Sequence, residues 1–416
     1  MNTLIPVCAF SLLAGCFVRA SEQYACVDDS ECNGGRICGV SNFCVIPDGG
    51  NGSDGPPGDI ADPCMSFGAR HFSACSIPRP MGPMSLTITT GPYIYDTSTG
   101  MLLDPNNVSS TPPTMMVTDG RVLSVESFSL AAGATLRVRG NTPLIIASWG
   151  TLEVSGTIDV SSNTLTGAGA GALPFATPST YCAMHQSATP AQNGGGGGGG
   201  GGGAMQSNGG PGGSGGGGGD AGGTGAPGSV TPPLLAAGCA GDKGGNGGSA
   251  GGVGGLGGGA IQLTARVSIS IAATGKVHAG GQGGRQGTGG TGGGGGGGGG
   301  GMIGLETVSL TITPGAILAT NGGGGGEGGG NAGGTPAPGQ DGQALPANPA
   351  AAGGAGGSGG NGGAGSISAS GPGGTGASDG AGGGGGGGGA GFITIKAMTR
   401  SDSGALFSPA TPTIIQ

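Results

Sequence analysis

Runs of consecutive glycine constrain this chain more than any other feature, because a residue without a side chain contributes nothing to a hydrophobic core. Glycine supplies 113 of the 416 residues. Its runs are concentrated in three inserts, 162–258, 282–300 and 321–390. Closing an insert of about 100 residues as a floppy loop costs about 4 kcal/mol. Ordering it costs about 1–2 kcal/mol per residue, on the order of 100 kcal/mol in all. Burial of side chains cannot offset that cost, so order requires backbone N–H and C=O groups to pair with neighbouring segments. Bundles of extended helices with three residues per turn, similar to polyproline II, permit such pairing. At about 0.5–1.5 kcal/mol net per hydrogen bond, the sum lies near zero. The inserts are therefore either disordered or laterally bundled. The chain lacks a strict G-X-Y period and has only 28 prolines, which argues against a collagen triple helix.

The remaining residues are sparsely charged. Asp, Glu, Lys and Arg make up 8% of the chain and the net charge is -8. No basic run exists that could follow a phosphate backbone, so nucleic acid is a poor partner. The glycine runs contain many matches to G-x-G-x-x-G. None follows a strand and opens a helix, which a nucleotide-binding turn requires.

Between the inserts lie segments that alternate apolar and polar residues, the pattern of β-strands. Residues 259–281 read GAIQLTARVSISIAATGKVHAGG, and residues 301–323 read GMIGLETVSLTITPGAILATNGG. Both run through apolar alternation, a break, V-x-[IL]-x-I, a glycine turn, and an apolar residue near Ala and Gly. Residues 143–161 share the first strand and the ending, 122–140 fit more loosely, and 391–397 repeat the first strand. A unit of about 20 residues cannot bury its own apolar face and must stack on copies of itself. The expected fold is all-β, a parallel β-helix or β-solenoid of about 20-residue coils interrupted by the glycine inserts. The alternative is an antiparallel β-sandwich. In the solenoid, Leu144, Ile146, Ile261, Leu263, Ile303, Leu305, Ile393 and Ile395 form one inward column. Val267, Ile269 and Ile271 face the same core as Val308, Leu310 and Ile312.

The expected division of the chain is as follows. Residues 1–16 form a signal peptide, 24–46 a small disulfide-rich module, 47–62 an Asp/Gly/Pro linker, and 64–161 the first part of the solenoid. Coils at 259–281 and 301–320 separate the inserts, and 391–416 is a terminal strand and tail. The apolar stretch near the N-terminus is too short to span a bilayer. Excluding Cys8 and Cys16, eight cysteines remain: Cys26, Cys32, Cys38, Cys44, Cys64, Cys75, Cys182 and Cys239. An even set in an exported chain reads as disulfides of open pairing. Cys182 and Cys239 flank the first insert, and a bridge between them suits a stapled lobe.

The sequence carries no recognisable catalytic constellation, metal-ligand pattern or cofactor motif. His71, His185 and His278 belong to no ligand motif, and His278 is expected to face solvent. A glycosidase needs two acids flanking the bond. Glu126, Glu153, Asp159 and Glu306 are isolated on predicted outward positions, where solvated surface groups are the simpler reading. Trp149, between Ile146 and Leu152, suits a buried stacking position.

Leu13-Ala14-Gly15-Cys16 resembles the lipobox of bacterial lipoproteins, which implies lipidation at Cys16 and an outer-membrane or cell-surface location. The alternative is a secreted protein cut near Ala20. Further motifs are Ala74-Cys75-Ser76-Ile77-Pro78, Tyr93-Ile94-Tyr95-Asp96-Thr97, Val122-Leu123-Ser124-Val125-Glu126, Ala147-Ser148-Trp149-Gly150, Ala260-Ile261-Gln262-Leu263-Thr264-Ala265, and Asn321-Gly322 followed by GGGGEGG. With these the chain resembles the Gly-rich, PGRS-like predicted lipoproteins of myxobacteria. That group has no known activity. The resemblance implies location: a lipid-anchored structural or adhesive surface protein. The partners expected are the membrane, through the anchor, and an extracellular polysaccharide or other cell-surface polymer. A polysaccharide-binding or polysaccharide-degrading β-helix protein is the alternative.

Overall fold

The computed structural model divides the chain into two units, Met1–Ile60 and Ala61–Gln416. In the first it describes Ile37–Cys38 and Cys44–Val45. In the second it describes 84–416 apart from 173–181, 183–186, 191–194, 218–219, 230, 232–234, 331–333, 345–349, 369–380 and 416, together with 69, 70, 72, 77 and 80. The first unit's strands, β1 (Ile37–Cys38) and β2 (Cys44–Val45), pair antiparallel with Cys38 opposite Cys44. Cys16, Cys26, Cys32, Cys64, Cys75, His71, His185 and the 47–62 linker lie outside the described residues.

The second unit is all-β, with no helix among the described residues. Its first strands are β3 (Ser85–Ile88), β4 (Gly91–Asp96), β5 (Met101–Leu103), β6 (Ser109–Ser110), β7 (Thr114–Val117), β8 (Gly120–Val125), β9 (Ser127–Leu130) and β10 (Ala134–Arg139). Then come β11 (Leu144–Ser148), β12 (Thr151–Val154), β13 (Thr157–Asp159), β14 (Ala260–Ile271) and β15 (Lys276–His278). The last are β16 (Met302–Ile312), β17 (Ile317–Ala319), β18 (Phe392–Ser401), β19 (Leu406–Ser408) and β20 (Thr413–Ile414). They form two mixed sheets of eight and ten strands. In the larger sheet β8, β11, β14, β16, β18 and β20 follow one another in parallel. In the smaller, β4, β10, β13, β15, β17 and β19 do the same. A further parallel run, β3–β9–β12, joins the second half of β14. The antiparallel pairs of the second unit, β4–β5, β5–β6 and β7–β8, come from its N-terminal part.

Register follows the repeated sequence. Leu144, Ile261, Ile303 and Ile393 stand opposite one another, as do Ile146, Leu263, Leu305 and Ile395. All eight belong to one core cluster, which also takes Leu136, Ile158, Val277 and Leu318 from the smaller sheet. Side chains alternate across a strand, so identical patterns in register stack like on like.

Two expectations need correction. Val267 and Val308 do not share the core with their neighbours; they are 52% and 37% exposed. The register shifts between Ala265 and Ser268, where two residues of β14 oppose one of β16. This bulge breaks the alternation and leaves Val267 and Val308 pointing outward, while Ile269, Leu310, Ile271 and Ile312 remain buried. The stretch after 397 is also more than a tail, because β18 runs on to Ser401 and β19 and β20 follow. There Arg400 takes the position opposite Leu310 and pairs with Asp402.

The larger sheet is covered on its second face as well. Ile145, Ala147, Ala260, Met302 and Phe392 pack with Phe72, Ile77, Trp149, Met205 and Leu235. This explains the unbroken apolar run Leu144–Ala147, since a strand buried on both faces need not alternate. Trp149 is buried, as its surroundings suggested, and its indole N–H donates to Ser124 Oγ at 3.1 Å.

Leu263→Ala removes a side chain from the centre of the core and should cost about 2–5 kcal/mol. Val267→Ser, at the exposed bulge, should change stability by no more than about 0.5 kcal/mol. Denaturant midpoints of the two variants test the assignment, and equal losses would contradict it.

Candidate functional site: the glycine bundle and two buried acids

The described residues of the inserts lie against one another and are cross-bonded through their backbones. Residues 292–301, all glycine, run directly into β16, and 382–391 run into β18 in the same way. In the central run the N–H groups of Gly293, Gly296 and Gly299 donate to the carbonyls of Gly245, Asp242 and Cys239. Those of Gly294, Gly297 and Gly300 reach Gly383, Gly386 and Gly389, and those of Gly295 and Gly298 reach Arg285 and Gln282, all at 2.8–2.9 Å. Its carbonyls accept from three further segments, through Gly200 and Gly203, through Gly252, Gly255 and Gly258, and through Gly323 and Gly326. Three donor directions and three acceptor directions repeat every three residues, so the run has six bonded neighbours. No glycine between 292 and 301 has a positive φ. A threefold repeat, negative φ and bonds made only to other segments describe the polyproline-II helix.

The neighbours approach too closely for any side chain. A Cβ on Gly296 would lie 2.0 Å from the Gly201 carbonyl oxygen, and one on Gly294 2.1 Å from that of Gly326. In glycine a Cα–H occupies that direction and points at the carbonyl. Such contacts contribute about 0.5–1 kcal/mol each, comparable to the net value of an N–H···O bond.

At the outside of the bundle the same period appears as exposure. Asn208, Pro211 and Ser214 are exposed on one segment, and Ala221, Thr224 and Pro227 on the next. Lys243 and Asn246, Arg285 and Thr288, and Asn361 and Ala364 continue the rule, with two residues between each pair. The inserts thus carry local G-G-x periods within a chain that has no strict G-X-Y period over its length. Of these exposed residues only Lys243 and Arg285 are charged. Lys243 also lines a shallow depression of about 260 Å³ with Ser187, Ala188, Pro190, Gly244, Gly245 and Asn246. A disulfide joins Cys182 to Cys239 across the first insert. Within the bundle Glu327 is wholly buried, and its carboxylate accepts the N–H groups of Gly357 at 2.7 Å and Ala337 at 2.9 Å.

Two of the four singled-out acids are not solvated surface groups. Asp159 stands in register between Arg137 and His278. Its carboxylate meets Arg137 Nη1 at 2.9 Å and His278 Nδ1 at 3.6 Å, and accepts the Ser161 hydroxyl at 2.6 Å. Burial alone would raise its pKa, but His278, Arg137 and Ser161 outweigh burial and hold it below the usual carboxylate range. His278 is largely covered rather than turned to solvent. A Cβ on Gly280 would lie 2.5 Å from its Nε2, so backbone fills the space where a substrate would have to sit. Ser161 bonds the aspartate and not the imidazole, which is the wrong order for an activated nucleophile.

Glu306 lies on the second face of the larger sheet, opposite Thr264 and Lys396, and is 4% exposed. Its Oε2 accepts the Arg70 N–H at 3.0 Å. Burial pushes its pKa from 4.5 up to about 7, against the smaller opposing influence of Arg70 and Lys396. Glu153 is exposed and Glu126 half-buried. Asp159, Glu153 and Glu306 occupy separate register positions on different strands, Glu126 lies between β8 and β9, and no two of the four stand opposite each other in register. Among the described residues no group of three or more His, Cys, Asp and Glu could hold a metal ion, and no helix is long and apolar enough to cross a membrane. No family model, curated protein or solved structure matches the chain.

Gly296→Ala should destabilise the protein by about 1–3 kcal/mol or more, since the backbone around it cannot yield without breaking the lattice. Ala364→Ser should fall within about 0.5 kcal/mol of the parent, and thermal unfolding distinguishes the two. Glu306 adds a pH dependence. A raised carboxyl pKa favours the folded state fully at low pH, and that contribution is lost as pH rises from about 4.5 through about 7. Relative to Glu306→Gln, the parent should therefore lose stability across that window and change little above it. A constant difference from pH 4 to 8 would refute the burial of this group.

Proposed function

We propose that this protein is an exported structural or adhesive surface protein, anchored by lipid at Cys16. In this reading the strands are coils of a β-solenoid stalk that carries a rigid glycine bundle. The parallel, in-register stacking of repeated segments favours the solenoid over a sandwich. The observation that carries the reading is the bundle itself: roughly a hundred residues or more of insert become a cross-bonded block without side-chain packing. Such a block offers a surface of small, mostly uncharged side chains repeated every third residue. Many shallow, equivalent positions suit multivalent attachment to a polymer, because linked weak contacts add avidity without a deep pocket. An extracellular polysaccharide or other cell-surface polymer is the proposed partner, alongside the membrane.

Membrane fractionation tests the anchor: Cys16→Ala should release the protein from the membrane, and a variant still bound there would refute lipidation at that residue. Pull-down on insoluble polysaccharides, with reducing ends measured in parallel, tests the rest. The expected result is binding that survives chelators and yields no new reducing ends. Release of reducing ends would instead favour the degrading alternative.

A further inference from the structure

The bundle sorts its charges by sign. Among the described acids of the inserts, Asp220, Asp242 and Glu327 are buried. Asp341 is half-buried, and its carboxylate accepts the Thr164 N–H, the Thr164 hydroxyl and the Gly283 N–H, all at 2.9 Å. The lysine and the arginine of the inserts, Lys243 and Arg285, are both exposed. On the strands, by contrast, Arg137 pairs with Asp159 and Arg139 with Asp96. Neither Lys243 nor Arg285 has a carboxylate partner among the described residues.

Backbone register brings these two cations into one line. Gly241 and Gly244 donate to the carbonyls of Gly255 and Gly252, while Gln282, Arg285 and Thr288 donate to those of Leu256, Val253 and Ala250. Lys243, Val253 and Arg285 therefore fall level on three adjoining segments. Asn246, Ala250 and Thr288 fall level one threefold repeat further on, about 9 Å along the axis. All six are exposed, and Lys243 and Asn246 also border the shallow depression described above. One line thus offers two cations around an apolar side chain. The next offers a carboxamide and a hydroxyl, which both donate and accept hydrogen bonds. A polymer that alternates anionic groups, C–H faces and hydroxyls matches both lines. The whole chain has a net charge of -8, so its overall field repels such a polymer and attraction has to be local to these segments.

We infer that these two lines form the polymer-binding face and that its ligand is an acidic polysaccharide. Lys243 and Arg285 take its anionic groups, and Asn246 and Thr288 its hydroxyls. This rests on the polymer-attachment reading and narrows it to one class of polymer. Exposed ion contacts are weak singly and screened by salt, so binding should weaken as ionic strength rises.

The test compares binding of the full chain to dextran, carboxymethyl-dextran and dextran sulfate, which share a backbone and differ in charge. The parent should bind the two charged polymers at least about tenfold more tightly than dextran. Lys243→Gln/Arg285→Gln should abolish that preference while amide protection of 292–301 is retained, and Lys243→Arg should keep it. Arg139→Gln/Lys276→Gln, which removes the same charge from the smaller sheet, should also keep it. Equal binding of all three polymers would overturn the inference and leave the attachment reading standing. Equal losses in the two double variants would overturn it too, since the effect would then be one of net charge. Failure to bind any dextran, together with failure on the insoluble polysaccharides, would overturn both readings.

Discussion

A carbonyl oxygen sits where the first side-chain carbon would go, and most of this molecule follows from that contact. Helices with three residues per turn can bond to six neighbours only if they approach until Cα–H groups touch carbonyls, as Gly294 and Gly296 do. At that separation a position whose Cβ would face a neighbour's carbonyl must be glycine, which ties the composition to the architecture. The balance of energies is narrow. Each ordered residue costs about 1–2 kcal/mol of backbone entropy. It recovers about 0.5–1.5 kcal/mol per net hydrogen bond, plus weaker Cα–H···O contacts. A bundle so balanced benefits from external anchors, and the chain supplies them. Runs 292–301 and 382–391 are continuous with β16 and β18, and the Cys182–Cys239 bridge ties the first insert.

The stacked strands therefore do more than provide a separate core. Each long strand begins where a glycine run ends, so the register of Ile261, Ile303 and Ile393 also sets the register of the runs that precede them. The burial of Ile145, Met302 and Phe392 beneath Met205 and Leu235 gives the bundle an apolar seam to the sheet. Glu327 fixes the ends of two outer segments through backbone N–H groups, a role that glycine cannot fill.

Much of the strand architecture was legible because like residues recur at like positions, and the Leu144 and Ile146 columns could be named from the repeats alone. The bulge after Ala265 was not, because an extra residue in one strand is invisible until its partner is known. Glu306 looked solvated since its strand alternates correctly; what buries it lies more than two hundred residues away, around Arg70. The Asp159–His278 contact does have a signal in the sequence. Gly156-Thr157-Ile158-Asp159 and Gly275-Lys276-Val277-His278 align turn for turn, which places the acid opposite the imidazole. The order of the inserts could not be decided from composition because the opposing energies nearly cancel. Their G-G-x period, visible in 208–216 and 352–366, would have tipped the decision toward a bundle.

The central claim is that pure glycine runs are interior, hydrogen-bonded structure. Amide hydrogen exchange across 292–301, compared with the exposed turn at Ala273 and Thr274, tests it most directly. The account predicts protection over the glycine run comparable to that of β14 and β16. Exchange of 292–301 at the rate of an unstructured peptide, with β14 and β16 still protected, would contradict it.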